Sequence, residues 1–238
     1  MKTLLPKRIF KSLVAATLIL CHSGVAGSEK SDECQTPDRQ NQLSICRMEA
    51  DNILSEQTDY TPACSWGSAK RYIAHCRQLD ASYIVDVLLP EDYDPNAAKR
   101  YPVVYMHDGQ NLFDPALSYG GVSWAVDKAL KRLSQSEEFQ VPIIVGIHNR
   151  EELRSSDYLC QKVITDYIPA DQLDKSGIMP VAGGRLHSDA YTTFLANDLK
   201  NAIDATFNTL PERENTFIMG SSMGGLASLY AICEYPDT

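Results

Sequence analysis

Beyond its first twenty residues the chain lacks long apolar runs. No later segment approaches the roughly 18 unbroken apolar residues that a membrane-spanning helix needs. Positive charge is also scarce. Lys and Arg number 22 against 31 Asp and Glu, for a formal net charge of −9. Four of the basic side chains (Lys2, Lys7, Arg8 and Lys11) lie in the first 26 residues, which hold no acid, so the remainder carries −13. Phosphate backbones and anionic membranes repel such a surface, which argues against nucleic acid as a partner. Cys-x-x-Cys pairs are absent, so a structural zinc site is not expected. No ligand cluster points to any other metal or to a cofactor. Internal repeats and low-complexity tracts are missing too. What is present is an ordinary globular balance of 44% hydrophobic and 22% charged residues over 238 positions.

The N-terminus has the form of an export signal. A basic stretch, Lys2 to Lys11, precedes a short apolar run, Leu13 to Leu20, broken only by Thr17. Gly24-Val25-Ala26 then offers small residues at a cleavage site, so residues 1–26 are expected to leave an exported protein, periplasmic or secreted. No stable membrane span is expected after that cleavage. Cys34, Cys46, Cys64 and Cys76 all precede the first convincing strand. In an oxidising compartment these four are expected to form two disulfides, with three connectivities open. Cys160 and Cys233 are left over, and Cys233 reads as a buried helical thiol. Residues 27–80 therefore read as a disulfide-stapled extension without chemistry of its own, in which Trp66 has a packing role.

From residue 81 the pattern is that of an α/β domain reaching residue 238. Apolar strands are expected at 83–90, 102–106, 141–147 and 215–219. Helices are expected at 122–133, from Val122, Ala125, Val126, Ala129, Leu130 and Leu133, and around Tyr191, Leu195, Leu199 and Ile203. Residues 150–187 read as irregular. Strands alternating with helices predict a mostly parallel central sheet covered on both faces, with ligands beyond the strands' carboxyl ends.

Two motifs fall at such ends. Gly220-Ser221-Ser222-Met223-Gly224 joins an apolar strand to a helix, the setting of a nucleophile elbow with Ser222 as nucleophile. Glycines at 220 and 224 remove side chains from a tight turn, and the helix start aims the Met223 amide at an oxyanion. His107-Asp108-Gly109-Gln110-Asn111 follows a second buried strand. There Gly109 is expected to let the backbone approach substrate, and the Gln110 amide to supply the second oxyanion donor, worth roughly 2.7–4 kcal/mol in the transition state. His107 and Asp108 read as structural, with Asp108 capping loop amides.

Tyr101 to Phe113 and Ile218 to Leu226 resemble the esterase family that includes esterase D-like enzymes, enterochelin esterases, feruloyl esterases and mycolyltransferases. Trp124, Val126-Asp127, Val145 to Ile147 and Phe194 to Asp204 resemble it as well, so the resemblance covers about residues 82–238. It implies an α/β-hydrolase fold and ester cleavage by a Ser-Asp/Glu-His triad on a small-molecule ester. The amides of Gln110 and Met223 then hold the oxyanion.

One departure stands out. The sixteen residues after Ser222 contain no histidine, although the triad order places acid and base later in the chain. His22, His75, His107, His148 and His187 all lie upstream, and His107 is the one nearest in expectation to the elbow. The hydrolase domain is therefore expected to be incomplete at its C-terminus, a poor esterase, and poorly soluble through an apolar sheet edge. An acyltransferase on the same scaffold and a catalytically inactive binding module are the alternative readings. Oligomeric state, acyl specificity and alcohol specificity leave no mark in the sequence.

Overall fold

The computed structural model describes residues 53–238. The expected signal, Cys34 and Cys46 lie outside the described residues. Six strands form one sheet: β1 Leu54–Gln57, β2 Ser68–Cys76, β3 Ala81–Leu89, β4 Val103–His107, β5 Ile143–Ile147 and β6 Thr216–Met219. Their spatial order is β1-β2-β3-β5-β4-β6. β4 runs parallel to both β5 and β6, as the alternating pattern predicts. The other half is antiparallel: β1 on β2, β2 on β3 and β3 on β5. The sheet is thus mixed. The turn between Cys76 and Ala81, which share a register position, returns the chain directly beside itself and makes the antiparallel half. β1 and β2, from the segment expected to lie on the domain, are strands of its central sheet.

Burial explains why these segments are strands. All five residues of β5 are buried, which fits a central strand covered on both faces. On one face Tyr83, Val85, Val87, Tyr105 and Val145 meet Tyr191, Phe194, Leu199 and Ile203. Those side chains come from α6 (Ser188–Thr193), a π-turn over Phe194–Leu199, and α7 (Lys200–Thr206), which together match the expected amphipathic helix. On the other face Leu88, Met106 and Ile144 pack with Trp66, Leu112, Phe113 and Leu130. Leu130 belongs to α1 (Val126–Leu133), which starts four residues later than the apolar spacing suggests because Ala125 is left-handed. Trp66 is a packing residue, as expected. The segment 150–187 is not irregular. It folds into short helices α2 (Arg154–Tyr158), α3 (Gln161–Tyr167), α4 (Ala170–Leu173) and α5 (Ile178–Val181). None of the helices among the described residues is long and apolar enough to cross a membrane.

Of the three expected disulfide connectivities, the one that joins Cys64 to Cys76 is ruled out. Among the described residues both are free thiols. Cys76 is sunk in the core on one face of the sheet, and Cys64 packs against the cluster on the other face, so the sheet itself stands between them. Cys233 is exposed rather than buried.

β6 pairs only with β4 among the described residues and forms the edge of the sheet. Phe217 (42% exposed) and Met219 (39%) project from it. Leu226, Leu229 and Ile232 of α8 (Met223–Glu234) are exposed beside them. An apolar strand edge of this kind recruits other chains. Phe217→Lys should therefore lower the light scattered by concentrated protein while leaving circular dichroism unchanged. Undiminished self-association of that variant would locate the sticky surface elsewhere.

Candidate active site

β6 enters the elbow through Gly220, and α8 leaves it from Met223. Ser222 sits between them with φ 55° and ψ −119°, a backbone conformation that non-glycine residues adopt only where the surroundings enforce it. Two close contacts enforce it. A Cβ on Gly220 would lie 2.5 Å from the Gly224 carbonyl carbon, so the turn closes only with glycine at 220. The amides of Gly224 and Gly225 bond to the carbonyls of Ser221 and Ser222 at 2.8 and 3.0 Å, which starts the helix immediately. Ser222 is exposed and its hydroxyl caps nothing at the helix start, so the hydroxyl is available for chemistry. Met223 contributes the leading amide of α8, where no intrahelical carbonyl is in reach.

Beside the elbow lies the turn that follows β4. Asp108 adopts the left-handed conformation (φ 58°, ψ 45°), and Gly109–Asn111 make a single 3-10 turn. Asn111 and Leu112 donate back to the carbonyls of Asp108 and Gly109, which leaves Gln110 at the front of the turn. Gln110 is half-buried, and its side-chain carbonyl accepts the Asn149 amide at 3.2 Å. Gly109 is buried, and the need for glycine there differs from the expected one. A Cβ would lie 2.4 Å from the backbone carbon of Gly146, so glycine lets the turn press onto β5. On its other side the turn meets the elbow. A Cβ on Gly224 would come within 3.2 Å of His107 Cβ and 3.4 Å of an Asp108 carboxylate oxygen. The structure thus brings Ser222, Met223, Gly109 and Gln110 to one end of the parallel strands.

Asp108 does not cap loop amides. Its buried carboxylate takes two bonds from the Arg154 guanidinium, at 2.7 and 2.8 Å, and a third from Asn149 Nδ2 at 2.7 Å. This ties α2 to the turn after β4, and Ser155 Oγ also touches Met223 Sδ at 3.9 Å. Next along α2, Asp157 is held by Arg150 and accepts Tyr83 Oη at 3.0 Å. Neither arginine carries a motif in the sequence. Their signal is weak: two basic residues four apart in a segment with no apolar period.

The described histidines are engaged away from Ser222. His107 is fully buried; its Nδ1 pairs with Tyr191 Oη at 2.8 Å, and its Nε2 has no hydrogen-bond partner. Burial pulls its imidazole down from the ordinary 6.5 to about 4. His148 bonds to Asp86 at 2.8 Å, a carboxylate that also binds Arg71 twice at 2.7 Å. His187 lies 3.2 Å from an Arg150 nitrogen, and His75 lies 3.9 Å from Asp80. A cavity of about 490 Å³ is lined by Gln78, Gln161, Arg185 and His187 among others, none of them from the elbow or the turn after β4. Among the described residues no group of His, Cys, Asp and Glu could hold a metal ion.

The sequence model of the family described as Esterase, "Putative esterase", matches residues 77–238. A curated relative from Bacillus subtilis (strain 168), Uncharacterized protein YbbA, is 24% identical over 149 residues, 63% of this chain and 50% of the relative. Two solved structures share the fold. One is an IroE-like serine hydrolase from Shewanella oneidensis, with 24% identity and TM-score 0.50 over 71% of this chain and 47% of that one. The other is the ferric enterobactin esterase of Salmonella typhimurium, with 18% identity and TM-score 0.50 over 75% of this chain and 36% of that one. The chain thus spans about half the length of the curated relative it matches.

Two outcomes follow from this geometry. Gly109→Ala should destabilise the protein by about 1–3 kcal/mol, because the methyl group is driven into the β5 backbone. Equilibrium unfolding in urea measures it, and an unchanged midpoint would contradict the close approach. His107 should make stability fall in mild acid. Unfolded, the imidazole takes its proton below about pH 6.5; folded, it resists until about pH 4. Its contribution is intact above pH 6.5 and is lost as the pH drops towards 4, by at most about 3 kcal/mol. The drop in unfolding free energy between pH 7 and 4.5 should be smaller in His107→Gln than in the wild type. An equal drop would clear His107 of the effect.

Proposed function

Since the chain belongs to this esterase family, we propose that it is a serine-dependent carboxylic ester hydrolase with Ser222 as its nucleophile. The observation that carries the reading is the Ser222 backbone, held at φ 55° in a strand-to-helix turn that leaves the hydroxyl exposed and uncommitted. Strain of this kind persists where the fold enforces it, and it clusters at reactive sites.

In this reading Ser222 Oγ attacks the ester carbonyl carbon. The carbonyl oxygen gains charge as the tetrahedral adduct forms, and the amides of Met223 and Gln110 donate to it. Asp108 and Arg154 hold the Gln110 turn in place without touching the reacting atoms. The substrate is a small-molecule ester. The basic, apolar and small-residue pattern of residues 1–26 supports export of the hydrolase, to the periplasm or beyond. A general base must take the Ser222 proton, and the four described histidines are each occupied elsewhere. We therefore assign to these residues the attack and the oxyanion contacts, and to none of them the base.

A fluorophosphonate probe should label the wild type at Ser222 and leave Ser222→Ala unlabelled. Turnover of p-nitrophenyl acetate should be slow if none of the four described histidines serves Ser222, since a triad serine without its base loses on the order of 10⁶ in rate. Fast turnover that Ser222→Ala abolishes would mean that one of the described histidines does serve as base. Absence of labelling in folded protein would remove Ser222 as nucleophile and favour a catalytically inactive binding module.

A further inference from the structure

The chain between α2 and α3 runs along one face of the elbow helix. Cys160 Sγ lies 3.9 Å from the Leu226 carbonyl oxygen. The Lys162 amide donates to Tyr230 Oη at 3.3 Å, and the Lys162 ammonium pairs with Glu234. Leu226, Tyr230 and Glu234 are spaced four apart on α8, so these contacts mark a single stripe of that helix. Cys233, seven residues beyond Leu226, lies on the same stripe. Its thiol is exposed, that of Cys160 is half-buried, and both are free.

We propose that Cys160 and Cys233 form an oxidation site, closed by a low-molecular-weight disulfide such as oxidised glutathione into an intramolecular disulfide. Burial raises the pKa of the Cys160 thiol. The order of events follows from exposure. The Cys233 thiolate attacks one sulfur of the glutathione disulfide; that S–S bond breaks, a mixed disulfide forms and one glutathione thiolate leaves. The Cys160 thiolate then attacks the Cys233 sulfur and expels the second glutathione. Two protein thiols are oxidised, their two protons go to solvent or to the departing thiolates, and one glutathione disulfide is reduced to two thiols. The product ties the start of α3 to the last turn of the helix that begins at Ser222. It does not depend on which reaction Ser222 performs.

The test uses the full chain. Native protein is incubated with oxidised glutathione, free thiols are blocked with iodoacetamide, and the sample is digested with trypsin without reduction. Cleavage after Arg154, Lys162 and Arg213 isolates Ser155–Lys162 and Glu214–Thr238, each with one cysteine. These two peptides should appear joined, separate on reduction, and lose their iodoacetamide adducts in step. Cys160→Ser should instead accumulate the glutathione adduct on Cys233, and faster than Cys233→Ser accumulates it on Cys160, which is the order expected if Cys233 reacts first. Glutathione adducts on both cysteines without a joined peptide would overturn the proposal. So would a link from either cysteine to Cys34, Cys46, Cys64 or Cys76, or a Cys233–Cys233 link between two chains.

Discussion

Gly109 meets the Gly146 backbone on one side, and on the other His107 and Asp108 meet Gly224. The turn after β4 is held between a neighbouring strand and the elbow helix with no room for a Cβ at Gly109. Interiors pack densely, so an added methyl group has nowhere to go. That squeeze sets the positions of the Gln110 amide, the Met223 amide and the Ser222 hydroxyl relative to one another. An oxyanion site depends on such placement, because its donors act without reorganising as charge develops.

A buried polar network stands behind the squeeze. Asp108 is left-handed and buried, and a buried carboxylate without partners is costly. Arg154 and Asn149 supply three bonds to it, and its amide donates to Tyr158 Oη. Tyr191 covers His107 from the other side. Through these bonds α2, α6 and the turn after β4 form one unit, although they are far apart in the chain. The His107 imidazole is held towards its neutral form by the same dense packing and sits as a wedge beneath the elbow.

The sheet shows where local reading stops. The spacing of apolar residues placed β3, β4, β5 and β6 within a few positions of where they lie. It did not reveal that β1 and β2 join the same sheet, because Ser68 to Cys76 carries Lys70, Arg71 and His75 among its apolar residues. Those polar side chains are tolerated because their partners come from elsewhere in the sheet: Arg71 binds Asp86 directly across the strand pair, and Lys70 binds Glu56. Segment 150–187 was illegible for a related reason. Its helices span four to seven residues and have too little length to display a period.

The strand-to-helix turn at Ser222, its glycines, the turn after β4 and the alternating strands were all legible in the sequence on its own, because each is a requirement on neighbouring residues. A serine in a strand-to-helix turn and glycines at fixed offsets are visible wherever the chain is read. The tertiary structure alone decided what Gly109 is for, which carboxylate Arg154 neutralises, where the histidines are spent, that Cys160 packs beside the elbow helix, and that Cys64 and Cys76 lie on opposite faces of the sheet. Those matters depend on contacts between residues tens of positions apart, and such distances are set by how the sheet and its covering helices pack, which no local pattern records.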